Sequence, residues 1–249
     1  MQDTDFEVFK LELEFGNEGE MPAVPISGNL LNVQLQGKVD RVDVWDDGHA
    51  KYVRIVDYKT GSQSFDYCDV FNGLGLQLFL YLYALEDQGQ SVLGKKPQIA
   101  GVEYFPASVP YVLTSGAISQ EEADKLHSTS FKRKGLILSD EYVLHAMENS
   151  DPPVRLPYTR RKDGSISGDI ASIDQFKLLK KHIYSILKKL VTDIESGNVE
   201  PNPYTRGSDK NVCKYCPYGT ICHSAQVEGR RNYQAMKANR FWEEMSKEV

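Results

Sequence analysis

Apolar and polar residues alternate in several short stretches of the first half of the chain, which is the pattern of half-buried β-strands. Residues 6–15 alternate from Val8 onward, and the later runs are rich in β-branched residues. Strands are therefore predicted at about 6–15, 31–45, 50–58 and 98–105. Residues 16–28, which contain Pro22 and Pro25, are predicted to form a loop.

Helical spacing of apolar residues follows the third predicted strand. Leucines and Tyr81 recur every three or four positions between residues 70 and 85, and two glycines weaken the helix start, so a start near Leu76 is expected as readily as one near Val70. The other predicted elements are two helices within 119–148, a helix at 173–196 that ends at Gly197, a short helix near 232–247, and loops at 151–153 and 159–168.

The order strand, strand, strand, helix, strand predicts an α/β fold with a mixed central sheet and flanking helices. Because the pattern changes beyond residue 110, we expect three segments. They are a core at 1–110, a helical extension at 111–200 and a cysteine-containing tail at 201–249.

Composition restricts the class of protein. The chain has 249 residues, of which 41% are hydrophobic and 26% charged, as is ordinary for a globular protein. No apolar run reaches the roughly 18 residues that span a bilayer, and the acidic start at residues 1–5 is unlike a secretion signal. We therefore expect a cytoplasmic protein with no membrane partner. Four cysteines in such a protein favour metal or cluster chemistry over disulfides.

The net charge of −6 argues mildly against a nucleic-acid binder, although a local basic face can bind phosphates on an acidic protein. Two candidate faces exist, and for any single lysine a solvated surface is the simpler interpretation. They are Lys132-Arg133-Lys134 and the lysines of the helix at 173–196, namely Lys177, Lys180, Lys181, Lys188 and Lys189.

Two acidic motifs carry the candidate chemistry. Asp40 follows Gly37 in one predicted strand and Asp57 closes the next, while the sequence Asp-Asp-Gly at 46–48 predicts a hairpin turn between them. Two such carboxylates can bind Mg²⁺ or Mn²⁺, and Lys59, on the same strand face as Asp57, can help to activate water against a phosphodiester.

Simpler interpretations of the same residues remain open. Asp40 can pair with Arg41 or cap a turn, and Asp57 and Lys59 can be exposed charges at a hairpin edge. Asp43 is expected to be a solvated or arginine-paired acid on the strand face of Asp40.

The pattern G-x-x-D, an apolar strand and then D-x-K resembles the PD-(D/E)xK nuclease superfamily in its RecB-like branch. Gln77-x-x-x-Tyr81 resembles the Q-x-x-x-Y motif of that branch. The resemblance extends from about residue 30 to about 225 and includes motifs of the B subunits of bacterial AddAB-type helicase–nucleases. Those motifs are Lys134–Leu138, Asn202-Pro203-Tyr204 and Cys213-x-x-Cys216-Pro217-Tyr218 with Cys222.

The resemblance implies a restriction-endonuclease-like core and a set of site residues. Asp40, Asp57 and the carbonyl of Tyr58 would hold Mg²⁺ or Mn²⁺, and Lys59 would position the attacking water. Gln77 and Tyr81 would hydrogen-bond the DNA backbone or order the site, although Tyr81 can equally be a core residue. The implied partners are a single-stranded DNA end and the A subunit of the helicase–nuclease, in double-strand-break repair.

For the cysteines the resemblance implies a 4Fe–4S cluster on Cys213, Cys216 and Cys222, whose fourth cysteine lies upstream of the nuclease motifs. No cysteine precedes Asp40, so we expect a fragment of a longer polypeptide with an incomplete cluster. The only other cysteine, Cys68, is expected to be a partly buried free thiol.

Two alternative functions remain open. Zinc with His223 as fourth ligand would make the chain a zinc-ribbon interaction protein, although adjacent ligands such as Cys222 and His223 fit one tetrahedral centre poorly. The other alternative is a catalytically silent module that holds DNA ends.

Overall fold

A computed structural model describes residues 3–16, 18–61, 65–108, 113–207, 210–222 and 231–247. The strands are β1 (Glu7–Phe15), β2 (Val24–Ser27), β3 (Asn32–Leu35), β4 (Gly37–Asp46), β5 (Lys51–Lys59), β6 (Gln98–Pro106), β7 (Lys134–Leu138), β8 (Tyr158–Arg160), β9 (Ile166–Gly168), β10 (Ile170–Ala171), β11 (Tyr204–Arg206), β12 (Lys210–Asn211) and β13 (Arg231–Asn232). The helices are α1 (Tyr67–Phe71), α2 (Gln77–Gln88), α3 (Gln90–Leu93), α4 (Gln120–Ser130), α5 (Glu141–Met147), α6 (Ile173–Glu195), α7 (Gly219–Cys222) and α8 (Ala238–Lys247).

The described strands include a six-stranded central sheet in the order β1-β4-β5-β6-β7-β10. β1, β4 and β5 are antiparallel neighbours, β5 and β6 are parallel, and β7 is antiparallel to β6. The crossover between the parallel pair contains α1 to α3, as a parallel connection requires. The predicted α/β fold with a mixed sheet and flanking helices is confirmed.

The hairpin of β4 and β5 has the predicted turn. Its register runs from Arg41 opposite Val56 to Asp46 opposite Lys51. The carboxylates of the turn accept hydrogen bonds from the Gly48 and His49 amides, and Gly48 has a φ of 89°, which favours glycine. The turn therefore fixes how the two strands face each other.

Helix α2 buries an apolar face against β5 and β6, with Leu78, Leu82 and Leu85 in the core. The helix begins at Gln77, which agrees with the predicted start near Leu76 and not with the alternative start near Val70. Helix α6 packs on α2 and α8, begins with a capping box formed by Ser172 and Gln175, and ends before Gly197. No described helix is both long enough and apolar enough to cross a lipid bilayer.

Several strands differ from the sequence-based expectation. The predicted loop at 16–28 contains β2, which pairs with β3, and the predicted loop at 159–168 lies largely within the hairpin of β8 and β9. The segment 111–200, expected as a helical extension, contributes β7 and β10 to the central sheet. Strand β7 is a short run buried on both faces, so it lacks the alternation that identifies a strand. The three-segment division remains a prediction.

Candidate active site

Asp40 and Asp57 face each other at one end of the β4–β5 hairpin. The register ends with Arg41 opposite Val56, and one further step places Asp40 opposite Asp57. Opposed residues of antiparallel strands share a sheet face, with Cβ atoms about 4.5–5.5 Å apart. The side chain of Asp40 bends toward β5, where its Oδ2 accepts a hydrogen bond of 3.3 Å from the Tyr58 amide. The structure thus brings the two acids together.

Lys59 completes this group, since its Nζ lies 2.6 Å from Oδ2 of Asp57. The Asp57 side chain is only 11% exposed, whereas Asp40 faces solvent. Oδ2 of Asp57 is fully buried, and the ammonium does not meet it with hydrogen-bond geometry, so this oxygen has no hydrogen-bond donor among the described residues. A buried carboxylate oxygen with one charged neighbour suits a hard divalent cation.

The protein side-chain ligands available for a cation at this site are two carboxylates, those of Asp40 and Asp57. Within the described ranges, no three His, Cys, Asp or Glu side chains converge closely enough to hold a metal ion. Mg²⁺ usually keeps several waters and binds through one or two carboxylates together with substrate phosphates, so two acids are enough for it. The phenol of Tyr58 accepts a hydrogen bond from Arg41 on the other face of the sheet, which leaves only its backbone as a candidate ligand.

Gln77 and Tyr81 form a pair next to this hairpin. The Gln77 Nε2 donates a 3.1 Å hydrogen bond to the Tyr81 hydroxyl, and the Tyr81 ring stacks on Phe15. A Cβ atom at Gly37 would collide with the Tyr81 hydroxyl, so the glycine of G-x-x-D allows the tyrosine to approach β4. In the described part of the chain, no hydrogen bond joins either side chain to Asp40 or Asp57.

Tyr104 is a site neighbour that the sequence analysis missed. It pairs with Asp57 across β5 and β6, and with Lys134 across β6 and β7. Burial, followed by the negative charge of Asp57, raises the pKa of Tyr104 to about 12. The strand was predicted, but its parallel register with β5 has no local sequence signal.

Asp43 lies on the opposite face of the sheet from Asp40. The expected shared face is wrong, because the two acids are three positions apart and successive strand residues point to opposite faces. The arginine pairing is confirmed, since Asp43 is fully buried and accepts from Arg41 at 2.5 and 2.8 Å and from Arg54 at 3.0 Å. Arg54 also pairs with the buried Glu103 at 3.1 Å. This network stabilises the sheet.

The cysteines of the tail lie on a 3-10 turn at Val212–Tyr215 and on α7. Cys213 is half-buried, and Cys216 and Cys222 are exposed. These three thiols do not converge on one point in the described structure, and His223 lies outside the described residues. Cys68 is buried, and its thiol donates to the Gln234 carbonyl at 3.1 Å.

An ion-pair cluster connects the segment before the cysteines to α1. Arg206 donates to both oxygens of Asp66 at 2.7 and 2.8 Å, and Lys210 lies 2.5 Å from Asp69. Asp66 also caps α1 by accepting from the Cys68 and Asp69 amides. Burial acts to raise the pKa of Asp66, but the hydrogen bonds from Arg206 and the backbone outweigh it and hold the pKa well below its ordinary value.

We expect Asp66→Asn to lower the free energy of unfolding by about 1–3 kcal/mol at pH 7, because a charge-assisted pair is lost while an amide oxygen can still cap the helix. A carboxyl whose pKa is lowered in the folded state stabilises the folded protein at pH values above its unfolded pKa of about 4. That stabilisation is lost as the pH falls toward the pKa of the folded state. The difference in the free energy of unfolding between parent and variant should therefore become smaller below about pH 4. Urea unfolding at pH 7 and pH 3 measures this, and an equal difference at both values would contradict the assignment.

The class of protein follows from comparison with known families. The sequence model of the PD-(D/E)XK nuclease superfamily matches residues 1–223, and the chain belongs to this superfamily. The mixed sheet with flanking helices agrees with that membership, and the resemblance drawn from the motifs is confirmed.

Similar curated proteins carry the name of the B subunit of an ATP-dependent helicase/deoxyribonuclease. The protein of Acetivibrio thermocellus is 33% identical over 98% of this chain and 22% of its own length. Those of Thermoanaerobacter sp. and Clostridium kluyveri are 34% and 35% identical over 96% and 88% of this chain, and over 21% and 20% of their own lengths. The chain thus spans about a fifth of the length of these relatives.

Proposed function

We propose that this chain is a metal-dependent deoxyribonuclease domain that hydrolyses phosphodiester bonds of single-stranded DNA. Membership of a nuclease superfamily supports the reaction class, and the relatives carry deoxyribonuclease in their names. The observation that carries the proposal is the opposition of Asp40 and Asp57 with the Lys59 ammonium 2.6 Å from Asp57.

In the proposed mechanism Asp40, Asp57 and the Tyr58 carbonyl would hold Mg²⁺ or Mn²⁺. When bound, the cation lowers the pKa of a water and offsets charge on the phosphate. The Lys59 ammonium, 2.6 Å from Asp57, would face the attacking water and the phosphate and stabilise developing negative charge without transferring a proton. The attacking water would lose its proton to bulk water, and the leaving oxygen would take a proton from bulk water. Gln77 and Tyr81 act indirectly, because they fix the start of β4 three residues before Asp40.

We further infer that the domain works as an exonuclease within a larger helicase–nuclease complex in double-strand-break repair, in the cytoplasm. The names of the relatives, which join a helicase to a deoxyribonuclease, support the helicase–nuclease part of this inference. The partner would be the A subunit of such a complex, which feeds in a single-stranded end of unwound DNA.

The tail fits a cluster only in part. Three soft thiolates at Cys213, Cys216 and Cys222 have the chemistry that a 4Fe–4S cluster needs, and a fourth ligand from outside this chain would complete it. Metal analysis, together with the visible absorption band that an iron–sulfur cluster has and zinc lacks, distinguishes the two kinds of site.

A cleavage assay tests the proposed function. End-labelled single-stranded DNA and a circular single strand are incubated with the purified chain in EDTA, Mg²⁺ or Mn²⁺. We expect hydrolysis of the linear strand only when metal is present, and slower loss of the circle. If the linear strand is bound but stays intact in every metal, the silent DNA-holding alternative replaces the proposal.

A further inference from the structure

A line of side chains crosses the sheet at the catalytic edge. Asp57 pairs with Tyr104 on β6, and Tyr104 pairs with Lys134 on β7. Paired residues of neighbouring strands point to the same face, and strands lie about 4.8 Å apart. Lys134 is therefore about 10 Å from Asp57 along this line, measured between backbones. With Asp40 opposite Asp57, the line runs over four adjacent strands.

A groove of about 340 Å³ follows the basic end of this line. Lys59, Lys132 and Lys134 line it together with four hydroxyl-bearing residues, Thr60, Tyr104, Ser108 and Ser130. The ion pairs nearby are Lys59 with Asp57 and Arg133 with Glu103. Among the described residues, neither Lys132 nor Lys134 forms an ion pair within 4 Å, although Lys132 lies close enough to Asp169 to act on the pKa of that carboxyl.

The other basic candidate surface, helix α6, differs from the groove in the ion pairing of its lysines and in its position. Lys180 is bound to Glu86 at 2.7 Å and to Asp87, and Lys177 pairs with Asp174 at 2.8 Å. Within the described part of the chain, no α6 residue lines the groove beside Lys59. The α6 lysines are thus partly neutralised or project into solvent.

We propose that Lys132 and Lys134 bind the DNA phosphates adjacent to the scissile bond, so that the strand lies across β5, β6 and β7. This inference rests on the proposed function. Tyr104 stands between Asp57 and Lys134 in this line and lines the same groove, so its hydroxyl can donate to the same DNA backbone. A lysine pair at fixed distance from the metal ligands sets where the strand is cut relative to its bound segment.

Salt dependence of binding tests the inference. Binding of a fluorescent single-stranded oligonucleotide in EDTA is measured by anisotropy over a range of salt concentrations. Each phosphate contact on a single strand contributes about 0.7 to the slope of log K against log salt. We therefore expect the double variant Lys132→Gln, Lys134→Gln to reduce the slope by about 1.4. Tyr104→Phe should weaken binding with an unchanged slope, because it removes no charge.

The matched control is Lys188→Gln with Lys189→Gln, which removes two exposed charges from α6. It should leave the slope and cleavage as in the parent. In the cleavage assay the groove variant should raise KM, and its loss of kcat/KM should be greater on a long strand than on a dinucleotide, which has one phosphate.

Three outcomes are distinguishable. An unchanged slope in the groove variant, or an equal loss in the α6 control, overturns the inference. A parent chain that cuts no DNA in any metal overturns the proposed function, while a reduced slope in the groove variant would still support the binding site. Circular dichroism and thermal unfolding confirm that each variant is folded.

Discussion

Replacing Asp57 with asparagine is expected to reduce DNA cleavage by about 10³-fold or more, because several kcal/mol of transition-state stabilisation depend on the bound cation. Asparagine has the same shape, so it preserves the packing around this buried side chain. It removes the negative charge that would hold the metal and pair with Lys59. Single-turnover cleavage of an end-labelled strand in saturating Mg²⁺ measures the effect.

A matched control for this variant is Asp46→Asn. Asp46 ends the same strand as Asp40 but lies at the turn, 42% exposed, where it pairs loosely with Lys51 at 3.9 Å. Its replacement should leave cleavage within about twofold of the parent, as expected for an exposed pair. Cleavage by Asp57→Asn within a few-fold of the parent rate would contradict the assignment of Asp57.

Replacing Asp43 with alanine is expected to destabilise the fold by about 3–5 kcal/mol, the largest stability effect of any single change considered. Asp43 is fully buried, and its carboxylate bonds the guanidinium groups of Arg41 and Arg54. Without Asp43 the positive charges of two buried arginines are no longer balanced by its carboxylate. Only Arg54 keeps a second acidic partner, Glu103. Urea unfolding followed by circular dichroism gives the free-energy difference.

A surface pair provides the comparison. Glu141 and Arg160 form an ion pair of 3.2 Å in which the acid is 68% exposed, so Glu141→Ala should lower the free energy of unfolding far less than Asp43→Ala. If Asp43→Ala costs no more than Glu141→Ala, the buried network does not stabilise the sheet as described. The two predictions also distinguish the two faces of the sheet. Asp57→Asn, on one face, should change cleavage with little change in stability, whereas Asp43→Ala, on the other, should change stability.

The hairpin that carries the acids was predictable because its determinants are local. The turn at 46–48 sits between two apolar runs, and a turn of fixed length sets which residues oppose each other. From that point the approach of Asp40 and Asp57 follows from strand geometry alone. The sequence signal for the start of α2 at Gln77 is also local, since Gly73 and Gly75 interrupt the helical pattern just before it.

The features that were missed depend on long-range pairing. Strands β7 and β10 join the sheet across many residues of intervening chain, and their short buried runs have no period of their own. The alignment of Asp57, Tyr104 and Lys134 depends on the parallel register of β5 with β6 and the antiparallel register of β6 with β7, which only the folded sheet defines. Strand-face alternation was available from the sequence, and the residue count that separates Asp40 from Asp43 already places them on opposite faces.

The burial of Arg54 was also outside sequence reasoning. An arginine in the middle of an apolar strand is expected to mark an exposed position, yet Arg54 is fully buried. Its burial is possible because Asp43 on β4 and Glu103 on β6 flank it on the neighbouring strands. No sequence window contains all three residues.

The most direct test of a metal site between the hairpin strands is a crystal structure of the chain soaked in Mn²⁺, with anomalous differences measured. We expect one strong peak bonded to an oxygen of Asp40 and an oxygen of Asp57 at about 2.0–2.3 Å, with the Lys59 ammonium displaced from Asp57. A structure at saturating Mn²⁺ in which Asp57 stays paired with Lys59, and no peak lies between the two aspartates, would contradict the account.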